Sequence, residues 1–294
     1  MPVDSFMAEV RSVERLFRAY ETIEGAGVRL HRAFGYEETP LFDPFLMLDD
    51  FRAGKRPEDY LAGFPWHPHR GIETVTYMLE GRVEHGDSMG NAGNVNAGDI
   101  QWMTAGSGII HQEMPKPVDG RMGGFQLWVN LPRKNKMMDP RYQEVKTRQV
   151  PIASPEPGVT IRVVCGKAGE VRGPVENIVA DPEYFDITLS PDTIFSHPVN
   201  GSYTAAAYVI EGAGFCNKKD NRVLQNRDLI LFGEGDEVRM ESSENGMRLL
   251  FFSGKPIHEP VAWRGPIVMN TQEELRLAFR EFQEGTFIKK KAGI

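Results

Sequence analysis

The stretch W-H-P-H-R-G-I-E at 66–73 is answered about forty residues later by G-I-I-H-Q-E-M at 108–114. Each half offers two metal-ligating side chains two residues apart: His67 and His69, then His111 and Glu113. On a β-strand, side chains two apart project from the same face. Two such strands facing each other would aim three imidazoles and one carboxylate at a common point. A core histidine satisfied by hydrogen bonds is the ordinary reading of any one of these residues. Two matched pairs instead ask for a metal site built from sheet geometry.

Around these blocks the chain reads as all-β. Its 30 glycines and 20 prolines separate short runs rich in β-branched and aromatic residues, the punctuation of many short strands and tight turns. Strands are expected at 73–80, 99–103, 125–131, 160–165, 184–189, 205–210, 228–232 and 247–252. One helix is expected near the end: Thr271 can cap it, Glu274 completes a capping box, and Leu275, Phe279 and Phe282 fall on one face. The two halves echo each other. T-V-T-Y-M-L-E-G at 74–81 resembles A-A-A-Y-V-I-E-G at 205–212, and each is followed by a polar turn and an aspartate opening a strand, Asp99 and Asp228. That offset of about 130 residues suggests a duplicated unit. Superposing the halves puts Pro198 and Asn200 near His67 and His69, and Met240 and Ser242 near His111 and Glu113. The second copy therefore lacks the ligand set. Domains are expected at 1–140, carrying the metal, and 141–294, degenerate and ending in the helix. The segment from about 140 to 158 reads as the linker.

Composition excludes several classes. A formal net charge of −7, from 34 basic and 41 acidic residues, argues against gripping nucleic acid directly, which needs a basic surface. The lysines at 289–291 read as a solvated end. Cys165 and Cys216 are too few and too far apart for a disulfide framework or a zinc ribbon. The start has no apolar signal-peptide core and no window approaches a membrane span. These features predict a reduced, cytoplasmic protein, or a nuclear one in a eukaryote. N-A-G-N-V-N-A-G at 91–98 lacks the lysine of a phosphate loop and reads as a turn between strands.

Glycine-bounded short strands with His-x-His on one and a later histidine on another follow the pattern of a cupin, a small double-stranded β-barrel. Beyond that pattern, the sequence resembles the pirin family of bicupins. The resemblance runs through L-F-D-P-F-L-M-L-D-D-F at 41–51, G-F-P-W-H-P-H-R-G-I-E-T-V-T-Y-M-L-E-G at 63–81 and G-D-I-Q-W-M-T-A-G-S-G-I-I-H-Q-E-M-P at 98–115. It continues in Q-L-W-V-N-L-P at 126–132, P-R-Y-Q-E at 140–144 and G-P-I-V-M-N-T at 265–271. It implies two tandem cupin barrels with a C-terminal helix, and one iron ion, Fe(II) or Fe(III), held in the first barrel by His67, His69, His111 and Glu113. Imidazole and carboxylate suit iron, with zinc, manganese, nickel or copper as substitutes. Four ligands leave two positions open on a six-coordinate ion, whereas tetrahedral zinc would be closed by them. The residues alone do not choose between these.

The resemblance also implies a quercetin 2,3-dioxygenase activity, a flavonol 2,4-dioxygenation that opens the central ring. The partners would be a flavonol-like aromatic substrate and dioxygen, with Glu113 as the general base. The alternative it implies is a redox-sensing regulator of transcription or metabolism acting through a protein partner. A third reading is a closed structural metal. The chain is expected to be a monomer.

Several neighbours are candidates for the pocket or the support of the ligands. Glu73 stands where many cupins supply a carboxylate ligand; a hydrogen-bonding role is expected for it here. His85 could face the pocket or a turn, and Phe64, Trp66 and Trp102 read as mouth or wall. His31, His197 and His258 read as surface or packing residues. Trp66 stands where pirins often have aspartate, and Ser107 where a basic residue is common, so pocket polarity is expected to differ here.

Overall fold

Every strand expected above is a strand in the computed structural model, which describes residues 8–52, 56–118, 120–216 and 222–289. The chain forms two compact units. One comprises residues up to Arg18, Val150–Glu176 and Asp181–Pro256; the other comprises Ala19–Gln149, Asn177–Ala180 and the chain from Ile257 onward. The units therefore interleave along the sequence, and the C-terminal helix groups with segments of the first barrel.

The first barrel is built from two antiparallel sheets. Its seven-stranded sheet runs Arg141–Val145, Ile100–Thr104, Ile72–Glu80, Gly123–Asn130, Phe45–Asp50, Val28–Phe34 and Tyr20–Glu24. Its four-stranded sheet runs Phe64–His69, Ile109–Lys116, Arg82–Asp87 and Ala92–Asn96. The strand Ile72–Glu80 is buried on both faces as far as Met78. Directly paired residues share a face, so Asp49, Gln126, Thr76 and Gln101 form one row across four strands of the larger sheet. Thr76 and Gln126 reach Glu113 on the smaller sheet, which makes this row the barrel interior. Apolar residues from both sheets, among them Leu30, Met78, Val83 and Val95, close one part of the core.

Two expectations about loops are corrected. Residues 91–98 hold the edge strand Ala92–Asn96, paired with Arg82–Asp87, because the polar asparagines there suit a strand with one solvated side. The stretch from 140 to 158 contains Arg141–Val145 in the first barrel's sheet and Ile152–Ala153 paired with Val159–Cys165.

The other unit is a second cupin barrel. Its main sheet includes Glu183–Leu189, Thr204–Phe215, Asp228–Phe232 and Glu237–Gly254, and Val13–Arg18 pairs with Asp228–Phe232. Phe185, Phe195, Phe251, Ile230 and Leu249 fill its core. The repeat seen in the sequence is physical. Gly81 and Gly212 both have positive φ, and a Cβ on either would meet a carbonyl oxygen, at 2.6 Å and 2.2 Å. Asp99 accepts from the Asn96 amide and Asp228 from the Gln225 amide, three residues back in each case. His197 is a packing histidine, buried among Phe185, Phe195 and Phe251 and bonded to Glu183 at 3.1 Å.

The terminal helix spans Gln272–Gln283 with the expected cap: Thr271 Oγ1 accepts from the Glu274 amide, and Glu274 accepts from the Thr271 amide. Leu275 and Ala278 are its buried residues, while Phe282 is partly exposed and packs edge-on to Phe287. No helix among the described residues is long and apolar enough to cross a membrane.

Candidate metal centre

The strands Phe64–His69 and Ile109–Lys116 pair antiparallel with His111 opposite His67 and Ile109 opposite His69. That register brings three imidazoles together. His67 Nε2 lies 3.1 Å from His69 Nε2 and 2.9 Å from His111 Nε2. Among the described residues, these three are the His, Cys, Asp or Glu group whose ligand atoms all lie within 4.8 Å of one another.

The ring orientations suit ligation. His67 Nδ1 is 2.8 Å from the Pro65 carbonyl and His69 Nδ1 is 3.1 Å from the Pro266 carbonyl. A carbonyl oxygen only accepts, so each Nδ1 carries the proton and each Nε2 lone pair faces the centre. Such bonds fix the tautomer and ring plane of ligating histidines. Burial, then the neighbouring His67, holds His69 well below the usual histidine range, only partly opposed by its bond to Pro266. Burial, then His69, His67 and His85, does the same to His111. Neutral imidazole is the ligating form. With a metal–nitrogen bond of about 2.1 Å, nitrogens sit about 3.0 Å apart at a right angle and about 3.4 Å apart at the tetrahedral angle. The observed separations of 2.9 and 3.1 Å are of the size expected for donors sharing one ion, so the residues present fit a metal ion.

Glu113 lies on the same strand as His111 but outside the group of three. Its Oε1 accepts from Thr76 Oγ1 at 2.8 Å and its Oε2 from Gln126 Nε2 at 2.9 Å. The pairing with Phe64–His69 shifts register there because the interval from Phe64 to His67 on that strand opposes the shorter one from His111 to Glu113 on this, while the pairing with Arg82–Asp87 stays regular. His111 and Glu113 therefore project from the same face of their strand.

Glu73 points the other way. It pairs with Thr104 and accepts from the Thr104 hydroxyl at 2.7 Å. Thr74 and Thr76 alternate to the interior, so Glu73 falls on the outer face of the sheet. Burial pushes its carboxyl up, against the hydrogen bond from Thr104. Trp102, expected at the pocket wall, is corrected for the same reason: it pairs with Val75 on that outer face and is fully buried. His85 is buried beside the centre, with its ring 5.5 Å from His111 and 5.1 Å from Tyr142 and Nε2 3.3 Å from Asp87 Oδ2. Neither His111 Nδ1 nor His85 Nδ1 has a hydrogen-bond partner.

A cleft of about 690 Å³ opens over His67 and His69. Phe64, Trp66, Trp128 and Trp263 contribute to its walls, and Trp128 meets His69 edge-on at 5.1 Å. Trp66 is 56% exposed at the rim. Arg32 and Asp49, joined by two bonds of 2.8 Å, form a polar end. Burial raises the Asp49 carboxyl to about 6 against the pull of Arg32. Ser107 is buried away from the cleft, its carbonyl accepting from Arg70 Nε; of the two departures, Trp66 alone shapes the mouth.

Gln126, Thr76, Trp128 and Pro266 were not singled out as site residues by sequence reasoning. Alternation along 123–130 places Gln126 and Trp128 on one face, but the face toward the ligands is fixed only by the barrel. The Pro266 carbonyl lies 197 residues from His69, and no local signal announces it.

Residues 27–129 match the Pirin family, and residues 184–288 match the Pirin C-terminal cupin domain. A pirin-like protein of Caulobacter vibrioides is 46% identical over 279 residues, covering 95% of this chain and 99% of that protein. Human pirin is 40% identical over 266 residues, covering 90% of this chain and 89% of its own. The crystal structure of a quercetin 2,3-dioxygenase from Acinetobacter baumannii is similar at a TM-score of 0.86 and 31% identity, covering 95% of this chain and 98% of that one. Matched across both barrels and at this identity, the chain belongs to the pirin family.

Proposed function

We propose that this protein is a mononuclear iron dioxygenase acting on planar, flavonol-like aromatics. The observation that carries the reading is the convergence of three imidazole nitrogens beneath a cleft walled by aromatic rings. His67, His69 and His111 would hold the ion. When bound, the metal would supply Lewis-acid polarisation of a hydroxyl–carbonyl pair and the one-electron chemistry that dioxygen requires. The protein's own residues do the rest. Trp66, Trp128 and Phe64 offer ring faces and edges to a flat guest, orienting its oxygen atoms toward the histidines. The Arg32–Asp49 end offers hydrogen-bonding partners to ring hydroxyls. Glu113 takes the proton of the chelating hydroxyl as general base. The dioxygenase name of the Acinetobacter structure supports this reading.

A second reading, a redox-responsive regulator, is favoured by one feature: Trp66 and half-buried His67 put the rim of the centre at the surface, where a protein partner could sense the metal's oxidation state. Metal analysis of anaerobically purified protein, coupled to quercetin consumption under air, separates the readings. Iron with turnover supports the enzyme. Iron without turnover favours the regulator, which then requires partner affinity to differ between Fe(II) and Fe(III). Zinc without turnover rejects both.

A further inference from the structure

We infer that a second cleft, beside the one over the histidines, binds an arginine-bearing peptide segment of a protein partner. The inference goes beyond the metal chemistry and uses none of the metal's ligands. Three observations carry it.

The first is the cleft itself. It has a volume of about 560 Å³ and lies between the segment from Tyr36 to Leu46 and the segment from His258 to Val261. Both segments belong to the compact unit that holds the first barrel. The volume is in the range of sites that enclose a small ligand or a few residues of a chain. Phe45 and Leu46, both fully buried, give it an apolar lining. Tyr36, largely exposed, borders both clefts.

The second is a buried donor without a partner. Asn130 lines this cleft and is 2% exposed. Lys136 Nζ donates to Asn130 Oδ1 at 2.7 Å and to the Gly71 and Val268 carbonyls at 2.9 and 3.1 Å. An ammonium has three donors and no acceptor. These three bonds therefore exhaust the lysine and fix the amide with Nδ2 turned away from it. Nδ2 has no hydrogen-bond partner among the described residues, yet it is not sealed off. Leaving such a donor unmade is costly, and a carbonyl oxygen of a guest in the cleft would satisfy it.

The third is charge. Glu37, Asp43 and Glu259 line the cleft, and among the described residues no lysine or arginine does. Asp43 Oδ2 accepts from the Ile257 and His258 amides, and Glu259 Oε2 accepts from the Arg133 amide and Asn270 Nδ2. These bonds orient both carboxylates without neutralising them. Glu37 is exposed and has no partner among the described residues. The basic lining group, His258, is itself mostly exposed. Such a wall selects a cation, and the Tyr36 ring beside it suits the stacking of a guanidinium. Asn130 asks for a neutral acceptor, whereas a free amino acid would bring its own carboxylate against three others. An arginine within a peptide has the matching set: a guanidinium for the acidic wall, a backbone carbonyl for Asn130 and no free carboxylate.

The test is calorimetric titration of the metal-bound full chain with acetyl-Ala-Arg-Ala-amide, which should bind with a Kd below about 1 mM. The same peptide with citrulline for arginine, nearly isosteric but uncharged, should bind about tenfold more weakly, and so should free arginine. Glu37→Lys, at an exposed side chain with no contacts for the fold to lose, should weaken the arginine peptide about tenfold. Stripping the metal with a chelator should leave the peptide Kd unchanged. In the heteronuclear NMR spectrum of the metal-free chain, the Asn130 side-chain amide pair, assigned by its loss in Asn130→Asp, should shift as peptide is added. No saturable binding, equal affinity for the citrulline peptide or for free arginine, wild-type affinity in Glu37→Lys, or an unmoved Asn130 pair each overturns the proposal. Loss of peptide binding on chelation would place the guest in the histidine cleft and overturns it too. None of these readouts depends on turnover, so a failure here is distinct from a failure of the dioxygenase reading.

Discussion

Two glutamates near the histidines, Glu73 and Glu113, differ by the face of the sheet they occupy, and their chemistry follows from it. Glu113 looks into the barrel, within reach of the cleft through Gln126. Replacing it with glutamine removes the proton acceptor without removing an imidazole. Glu113→Gln should therefore abolish quercetin turnover, by 100-fold or more in kcat, while bound metal, measured by elemental analysis, stays near wild type. Retained turnover would dismiss the base role. Glu73 is sealed on the outer face, and burial raises its carboxyl. A carboxyl raised on folding binds its proton more tightly when folded, so stability is lost as pH climbs from the unfolded value through the folded one. Glu73→Gln keeps an acceptor for Thr104 and removes that loss. Urea denaturation should find it about 1 kcal/mol more stable than wild type at pH 8, with equal stability below pH 4 and metal binding intact. Loss of the metal would make Glu73 a ligand after all.

At the scale of elements, the strand that carries His67 and His69 is tied to the end of the chain. Arg70, fully buried, donates to Glu281 at 2.7 Å on the terminal helix, to the Phe287 carbonyl at 2.8 Å and to the Ser107 carbonyl at 2.8 Å, and its guanidinium lies 4.2 Å from the Phe287 ring centroid. Lys136, equally buried, donates to the Gly71 and Val268 carbonyls and to Asn130. The hairpin of Ala262–Arg264 and Ile267–Met269 is held between them and delivers the Pro266 carbonyl to His69. Burial alone would raise the Glu281 carboxyl, but bonds from Lys289 and Arg70 outweigh it and hold it low. A lowered carboxyl contributes stability that is complete above the ordinary carboxylate range and vanishes as pH falls through the lowered folded value. Arg70→Met leaves Glu281 with Lys289 as its partner and takes the donor from the Ser107 and Phe287 carbonyls, and it should cost about 3 kcal/mol at pH 7. The deficit should shrink on acidification toward pH 3, as chemical denaturation at several pH values will show. A constant deficit would mean that Arg70 acts by packing alone.

For the whole molecule, the consequence is that the first barrel is completed only after the second has been synthesised. Ending the chain at Pro256 removes the Pro266 carbonyl, the terminal helix and the Phe287 contact, while the core of the second barrel lies wholly before that point. The truncated protein should bind Co(II) at least tenfold more weakly, with the Val163–Phe251 core still cooperatively folded by tryptophan-independent probes such as amide exchange. Wild-type affinity in the truncation would show that the hairpin does not support His69.

The sequence by itself determined what depends on short range. Period-2 spacing placed His67 beside His69 on one face, Thr271 and Glu274 capped the helix where expected, and the repeated glycine and aspartate signals located both barrels, because turn, cap and strand geometries are local. The same locality explains what it left open. Alternation says that Glu73 and Thr76 face opposite ways, but not which way is inward, and it placed Trp102 in a wall it does not form. It gives no account of the Thr76 and Gln126 donors that Glu113 meets across the barrel, nor of a carbonyl from residue 266 that orients one of the histidines. Those were decided by the tertiary structure, since only closure of two sheets and return of the chain end bring donors and acceptors from distant segments within hydrogen-bonding distance of each other.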